Sequence, residues 1–90
     1  MLIVSYDISD DKVRSRFARF LEKFGARLQY SIFEIKNSPR ILDNIRAEIK
    51  NKFEKQFTQE DSVMIFLLSK QCKIERYGYA KNDEKSFIII

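Results

Sequence analysis

The residue whose type and place offer the most chemistry is Asp7. It ends a short apolar run, Leu2-Ile3-Val4-Ser5-Tyr6, which reads as a buried strand because it contains β-branched residues and no turn former. A carboxylate at a strand end stands where core meets solvent. It suits Mg²⁺, which takes oxygen donors and keeps several waters. The competing reading is a turn aspartate that caps the next helix. A lone carboxylate is a poor metal site, and Asp10 and Asp11 read as capping residues themselves. Two copies of Asp7 brought together by a two-fold axis would complete a site, with one metal per dimer.

A second group lies on the helix that should follow, over about residues 11 to 24. Lys12, Arg16, Arg19 and Lys23 recur at helical spacing and fall within about 60° of one another around the axis. Such a stripe suits a phosphate backbone, although most charge runs are simply solvated, and Glu22 sits at one edge. Arg14 points elsewhere and could serve the same ligand or a carboxylate. A third group is Arg27-Leu28-Gln29-Tyr30-Ser31-Ile32-Phe33-Glu34. Arg27 and Gln29 could grip phosphate or a base edge, and Tyr30 or Phe33 could stack a base. Aromatic residues alternating along a strand are more often core or dimer contact.

Composition narrows these options. The chain has no histidine, which removes the commonest general base and transition-metal ligand. Its single cysteine, Cys72, excludes an intrachain disulfide and a cysteine-built zinc site; it reads as a plain, wholly or partly buried thiol. Catalysis must therefore use carboxylate, lysine, tyrosine or an oxygen-bound metal. Lys plus Arg number 17 against 13 acids, a net charge of +4 that favours an anionic partner. No segment reaches the roughly 18 apolar residues of a membrane span. The N-terminus lacks a signal pattern, so a cytoplasmic home is expected and a membrane partner is not.

The elements that must position these residues follow from periodicity. Val13, Phe17, Phe20, Leu21 and Phe24 form the apolar stripe of the first helix, with Gly25 placed as its C-terminal cap. Residues 26–36 are β-rich and read as one long strand or two with a sharp bend. Leu28, Tyr30 and Ile32 would share one face, and Gln29, Ser31, Phe33 and Ile35 the other. Ser38-Pro39 opens a second helix with Ile41, Leu42, Ile45, Ile49 and Phe53 inward. Residues 62–68 are apolar on both faces, as in a central strand covered on both sides. Weaker strands follow near 74–80 and 86–90. The expected class is α+β: one domain over residues 1–90, a ferredoxin-like sandwich (βαββαβ with an additional C-terminal strand) with both helices on one face. The apolar end Phe87–Ile90 lies in a tail, residues 81–90, that would form an edge strand of its own sheet or pair with a partner subunit.

Taken together, Tyr6-Asp7-Ile8-Ser9-Asp10, Arg14 and Arg16, and Gly25 leading to Arg27 through Glu34 closely resemble the small CRISPR-associated Cas2 family. Asp61 through Phe66 resembles its later core strand. The likeness spans about the first 68 residues. It implies a ferredoxin-like homodimer that partners the CRISPR integrase in spacer acquisition, bridging integrase dimers in a heterohexamer-type or heterotetramer-type complex and holding double-stranded DNA. It also implies Mg²⁺-dependent endonuclease activity on single-stranded RNA or double-stranded DNA. The family's metal-binding aspartate maps onto Asp7, preceded by Tyr6; its arginines map onto Arg14, Arg16 and Arg27, and its aromatic onto Phe33. A toxin-type ribonuclease or an RNA-binding module of the same small fold is the alternative. An RNA-recognition motif would need a glycine-aromatic run on its central strand, which residues 62–68 lack.

Overall fold

The computed structural model describes residues 1–69, 73–74 and 88–89. Strand β1 (Leu2–Asp7) leads into helix α1 (Asp11–Glu22). Asp10 caps that helix, its side chain accepting from the Lys12 N–H at 3.3 Å. Residues 25–35 fold into a hairpin of two strands, β2 (Gly25–Gln29) and β3 (Ile32–Ile35), closed by a turn at Tyr30-Ser31. The bend thus resolves the choice left open by the sequence. Leu28 forms a bulge between Arg27 and Gln29, which breaks the simple alternation of faces expected for this segment.

Gly25 opens β2 rather than capping α1. The helix has already ended at Lys23, whose N–H bonds to the Phe20 carbonyl at 3.3 Å, while the Phe24 N–H bonds to the Leu21 carbonyl at 2.9 Å. Glycine is needed here because a Cβ would run into the Glu34 carbonyl oxygen and lie 2.8 Å from the Ile35 Cα.

Helix α2 (Pro39–Glu48) has Ser38 as its cap and proline in the first turn. It continues into a π-helical turn over Ile49–Phe53, where the Glu54 N–H reaches back to the Ile49 carbonyl. The turn carries Phe53 into the core, edge-on to Phe17 at 4.9 Å and tilted against Phe20 at 5.6 Å. Strand β4 (Ser62–Leu67) then pairs antiparallel with β1, with Asp7 opposite Ser62.

The sheet order is β2-β3-β1-β4, antiparallel throughout. Leu2, Val4, Tyr6, Phe33 and Ile35 face the side chains Val13, Phe17, Leu21, Ile45 and Phe53 in one buried cluster. Both helices therefore cover the same face, as a ferredoxin-like α+β sandwich requires. β4 departs from expectation. It is the edge of this sheet among the described residues, not its centre, and Met64 and Leu67 are more than half exposed. β5 (Lys73–Ile74) and β6 (Ile88–Ile89) pair with each other as a separate ribbon. Cys72 and the rest of the expected tail, residues 81–87 and 90, lie outside the described residues. No helix among those described is long and apolar enough to cross a membrane.

A clasp joins two loops that are remote in sequence. One Asp61 carboxylate oxygen accepts from the Ser9 N–H and the Ser9 hydroxyl, both at 2.9 Å. The other accepts from the Thr58 N–H at 2.8 Å. These donors, the Thr58 N–H first, hold the Asp61 carboxyl below the ordinary carboxylate range.

Two outcomes follow. Gly25→Ala must displace the β2–β3 pairing and should destabilise the protein by about 1–3 kcal/mol in urea unfolding. For Asp61 the folded pKa is depressed. The clasp's stability is therefore fully present above the unfolded pKa of an aspartate and is lost as pH falls through the lower folded value. Asp61→Asn should lower the melting temperature at neutral pH and reduce its acid dependence. Parallel melting-versus-pH curves for the two proteins would disprove this.

Candidate functional site

The end of β1 gathers the residues with chemical potential. Tyr6 is buried at 4% exposure and Ile8 at 2%, while Asp7 between them is exposed. Strand alternation puts the Asp7 carboxylate on the helix-free side, opposite Ser62. The neighbouring acids are all engaged. Asp10 caps α1, Asp11 pairs with Arg14, and Asp61 holds Ser9 and Thr58. Asp7 alone among them has no hydrogen-bond or ion-pair partner among the described residues.

Arg14 clamps the turn that follows Asp7. Its Nη1 donates to the Ile8 carbonyl at 3.0 Å and more weakly to the Ser9 carbonyl at 3.5 Å. Its Nη2 meets the Asp11 carboxylate. The side chain is only 26% exposed, and its guanidinium lies 5.9 Å from the centre of the Tyr30 ring. Hydrogen bonding to Asp11 raises its pKa further, so the charge is permanent.

Arg27 approaches the same Tyr30 turn from β2. Its Nη1 donates to the Tyr30 carbonyl, and its guanidinium sits 5.0 Å from the Phe33 ring. Tyr6 donates its hydroxyl to the same Tyr30 carbonyl at 3.4 Å. Burial, the largest influence, pushes the Tyr6 phenol up. It therefore remains a neutral donor near pH 7 rather than a base. Tyr6 packs edge-on to Phe17 and stacks on Phe33, which is fully buried. Phe33 therefore offers no surface to a base. Gln29 is buried too, and its Oε1 has no hydrogen-bond partner.

Tyr6, Asp7, Arg14, Arg27 and Phe33 are thus connected through the Tyr30 turn and the loop after β1. The other predicted cations form a second region. Lys12, Arg16, Arg19 and Lys23 are exposed along α1, spanning about 16 Å from the Asp7 end outward. Arg16 donates to Gln56 Oε1 at 3.2 Å and so ties α1 to the end of the second helical segment. A groove of about 520 Å³ opens between the helices, with Arg16, Arg19, Lys23 and Lys52 on its walls. Lys52 was not singled out by sequence; its place beside the Phe53 ring, 5.4 Å away, follows from the π-helical turn. Asp61 was also missed. A strand-preceding aspartate gives no local signal for a clasp across 52 positions.

The donor set is compatible with Mg²⁺. That ion binds through one or two carboxylates and retains water, and Asp7 is exposed and unengaged. Among the described residues no three histidine, cysteine, aspartate or glutamate side chains converge.

Comparison with known proteins bears on the family and the fold. The family described as CRISPR associated protein Cas2 matches residues 1–76. A CRISPR-associated endoribonuclease Cas2 of Methanospirillum hungatei is 32% identical over 90 residues, covering 98% of this chain and 97% of the relative. One from Thermus thermophilus is 38% identical over 63 residues, covering 70% of this chain and 63% of the relative. Among solved structures, a hypothetical protein of Thermus thermophilus superposes with a TM-score of 0.72 at 28% identity, over 86% of this chain and 88% of that one. Streptococcus pyogenes Cas2 shares the fold, with a TM-score of 0.64 at 24% identity over 78% and 87% of the two chains. The chain belongs to the CRISPR-associated Cas2 family.

Proposed function

We propose that this protein acts in CRISPR spacer acquisition as a homodimer that bridges integrase subunits and holds duplex DNA, and that its Asp7 centre cleaves phosphodiesters with Mg²⁺. The observation that carries the cleavage reading is the Asp7 carboxylate itself: exposed between two buried residues, without a side-chain partner among the described residues, and followed by a turn whose Ile8 carbonyl a guanidinium holds. The Methanospirillum hungatei and Thermus thermophilus relatives above are named endoribonucleases, which favours RNA as the strand that is cut.

The dimer reading draws on β4. Its edge and the exposed Met64 and Leu67 leave apolar surface for a second subunit. A two-fold axis near the end of β1 would face one Asp7 with its copy. When bound there, Mg²⁺ supplies Lewis-acid polarisation of a phosphate oxygen. Asp7 holds the ion. Arg14, locked on the Ile8 and Ser9 carbonyls, contributes a fixed positive charge toward a phosphate. Arg27 fixes the Tyr30 turn from β2. Lys12, Arg16, Arg19 and Lys23 track the backbone of a longer nucleic acid.

Asp7→Asn should abolish Mg²⁺-dependent cleavage of labelled RNA and DNA. Because Asp7 is exposed and unpaired, stability should stay within about 0.5 kcal/mol. Duplex binding and spacer acquisition in cells should persist. Loss of acquisition with a still-folded protein would sink the scaffold role as separate from cleavage. Arg16→Ala combined with Arg19→Ala should weaken duplex binding and flatten its dependence on salt, by roughly one unit of log–log slope for each phosphate the pair had neutralised. An unchanged slope in a titration across salt concentrations would reassign this helix face to plain solvent exposure.

A further inference from the structure

We infer that the ring of Tyr30 is a stacking platform for an unpaired nucleobase, set beside the Asp7 centre so that the site prefers single-stranded nucleic acid. This rests on the reading of Asp7 as a phosphodiester-cleaving centre, and it adds a residue that selects the substrate.

The first support is exposure. Tyr30 is 47% exposed, whereas every other aromatic among the described residues is buried or half-buried. Nearly half of this aromatic side chain is therefore left uncovered by the fold. The second is rigidity. The Tyr30 carbonyl accepts from both Arg27 and Tyr6, and the Ser31 carbonyl accepts from the Tyr6 N–H at 3.1 Å. The turn is therefore stitched to β1 one residue before Asp7, and little ordering remains when a base arrives. The third is the cation. The Arg14 guanidinium lies 5.9 Å from the ring centre while bonded to the carbonyl of the residue after Asp7. Aromatic side chains backed by arginine bind single strands by stacking and by attraction for phosphate. A base on this ring would carry its own phosphate toward Arg14 and Asp7. Bases within a duplex are already stacked and cannot occupy it, which produces the preference. Every base has a π-face, so the preference is for unpaired structure rather than for sequence.

The chain contains no tryptophan, so Tyr30→Trp installs a single fluorophore at the platform. In an Asp7→Asn background, which separates binding from cleavage, a short single-stranded oligoribonucleotide should quench it. A duplex of the same sequence should not. Tyr30→Ala in that background should weaken single-strand binding about tenfold and leave duplex binding unchanged, and Tyr30→Phe should restore it. Equal weakening for both ligands, or none for either, overturns the inference. A change of oligomeric state on Tyr30→Ala also overturns it, because the ring would then be a subunit contact. If the native protein cleaves nothing with Mg²⁺ yet shows the quench and the selective weakening, the nuclease reading falls and the stacking site stands.

Discussion

Asp7 stands exposed between two residues that are almost wholly buried, and most of the functional end of this molecule follows from that constraint. Tyr6 and Ile8 anchor the backbone on either side in the apolar core. The chain must then leave the core within a residue or two and begin a helix at Asp11. Buried anchors alone would not fix so short a turn, because its backbone carbonyls point away from any ladder. Arg14 reaches back from the first turns of α1 to take the Ile8 and Ser9 carbonyls. Asp61 reaches across from the loop before β4 to take the Ser9 N–H and hydroxyl. A cation and an anion thus grip opposite polar groups of the same turn. Neither competes for Asp7, whose carboxylate is left to solvent.

Much of this was legible from residue order. The run Leu2–Tyr6 and the phenylalanine stripe of α1 have strong periods, and both elements form where those periods place them. The hairpin was undecided for a physical reason. Its turn, Tyr30-Ser31, contains neither glycine, proline, asparagine nor aspartate, so the alternation of side chains carries no break there. β4 misled because burial on both faces is inferred from composition alone. Val63 and Ile65 do pack on the core, but Met64 looks outward from an edge strand. The helical continuation through Ile49 and Phe53 was expected, but its π-helical winding was not. Lys50, Asn51 and Lys52 carry no mark of a π-helical turn, which exists because Phe53 must reach the Phe17 pocket.

Asp7, Arg14, Arg16, Arg27 and Phe33 came forward from their types and spacing, the family resemblance gave them roles, and the structure shows how different their surroundings are. Phe33 is wholly interior and serves as the floor under Tyr6 and Arg27. Arg16 faces solvent and joins the helices through Gln56. Residues that a motif treats alike therefore divide into those that build the site and those that face a ligand. The hub that joins them, the Tyr30 carbonyl, is a backbone atom. No residue-type argument could have found it, since any side chain at that position would present the same oxygen.

Under the proposed function, this division separates the holding of nucleic acid from its cutting. The exposed cations run along α1 and into the groove beside Lys52, away from the end of β1. Their contribution is long-range and salt-sensitive, and it needs no fixed geometry. At the Asp7 end the Arg14 guanidinium is immobilised by three acceptors and mostly withdrawn from water. Such a charge cannot follow a mobile backbone. It can stabilise negative charge at one place without reorganising, which is what a reacting phosphate demands and what simple holding does not. The two arrangements occupy different surfaces of one 90-residue fold. A change in the loose region should therefore alter how tightly nucleic acid is held while the rigid turn keeps its shape.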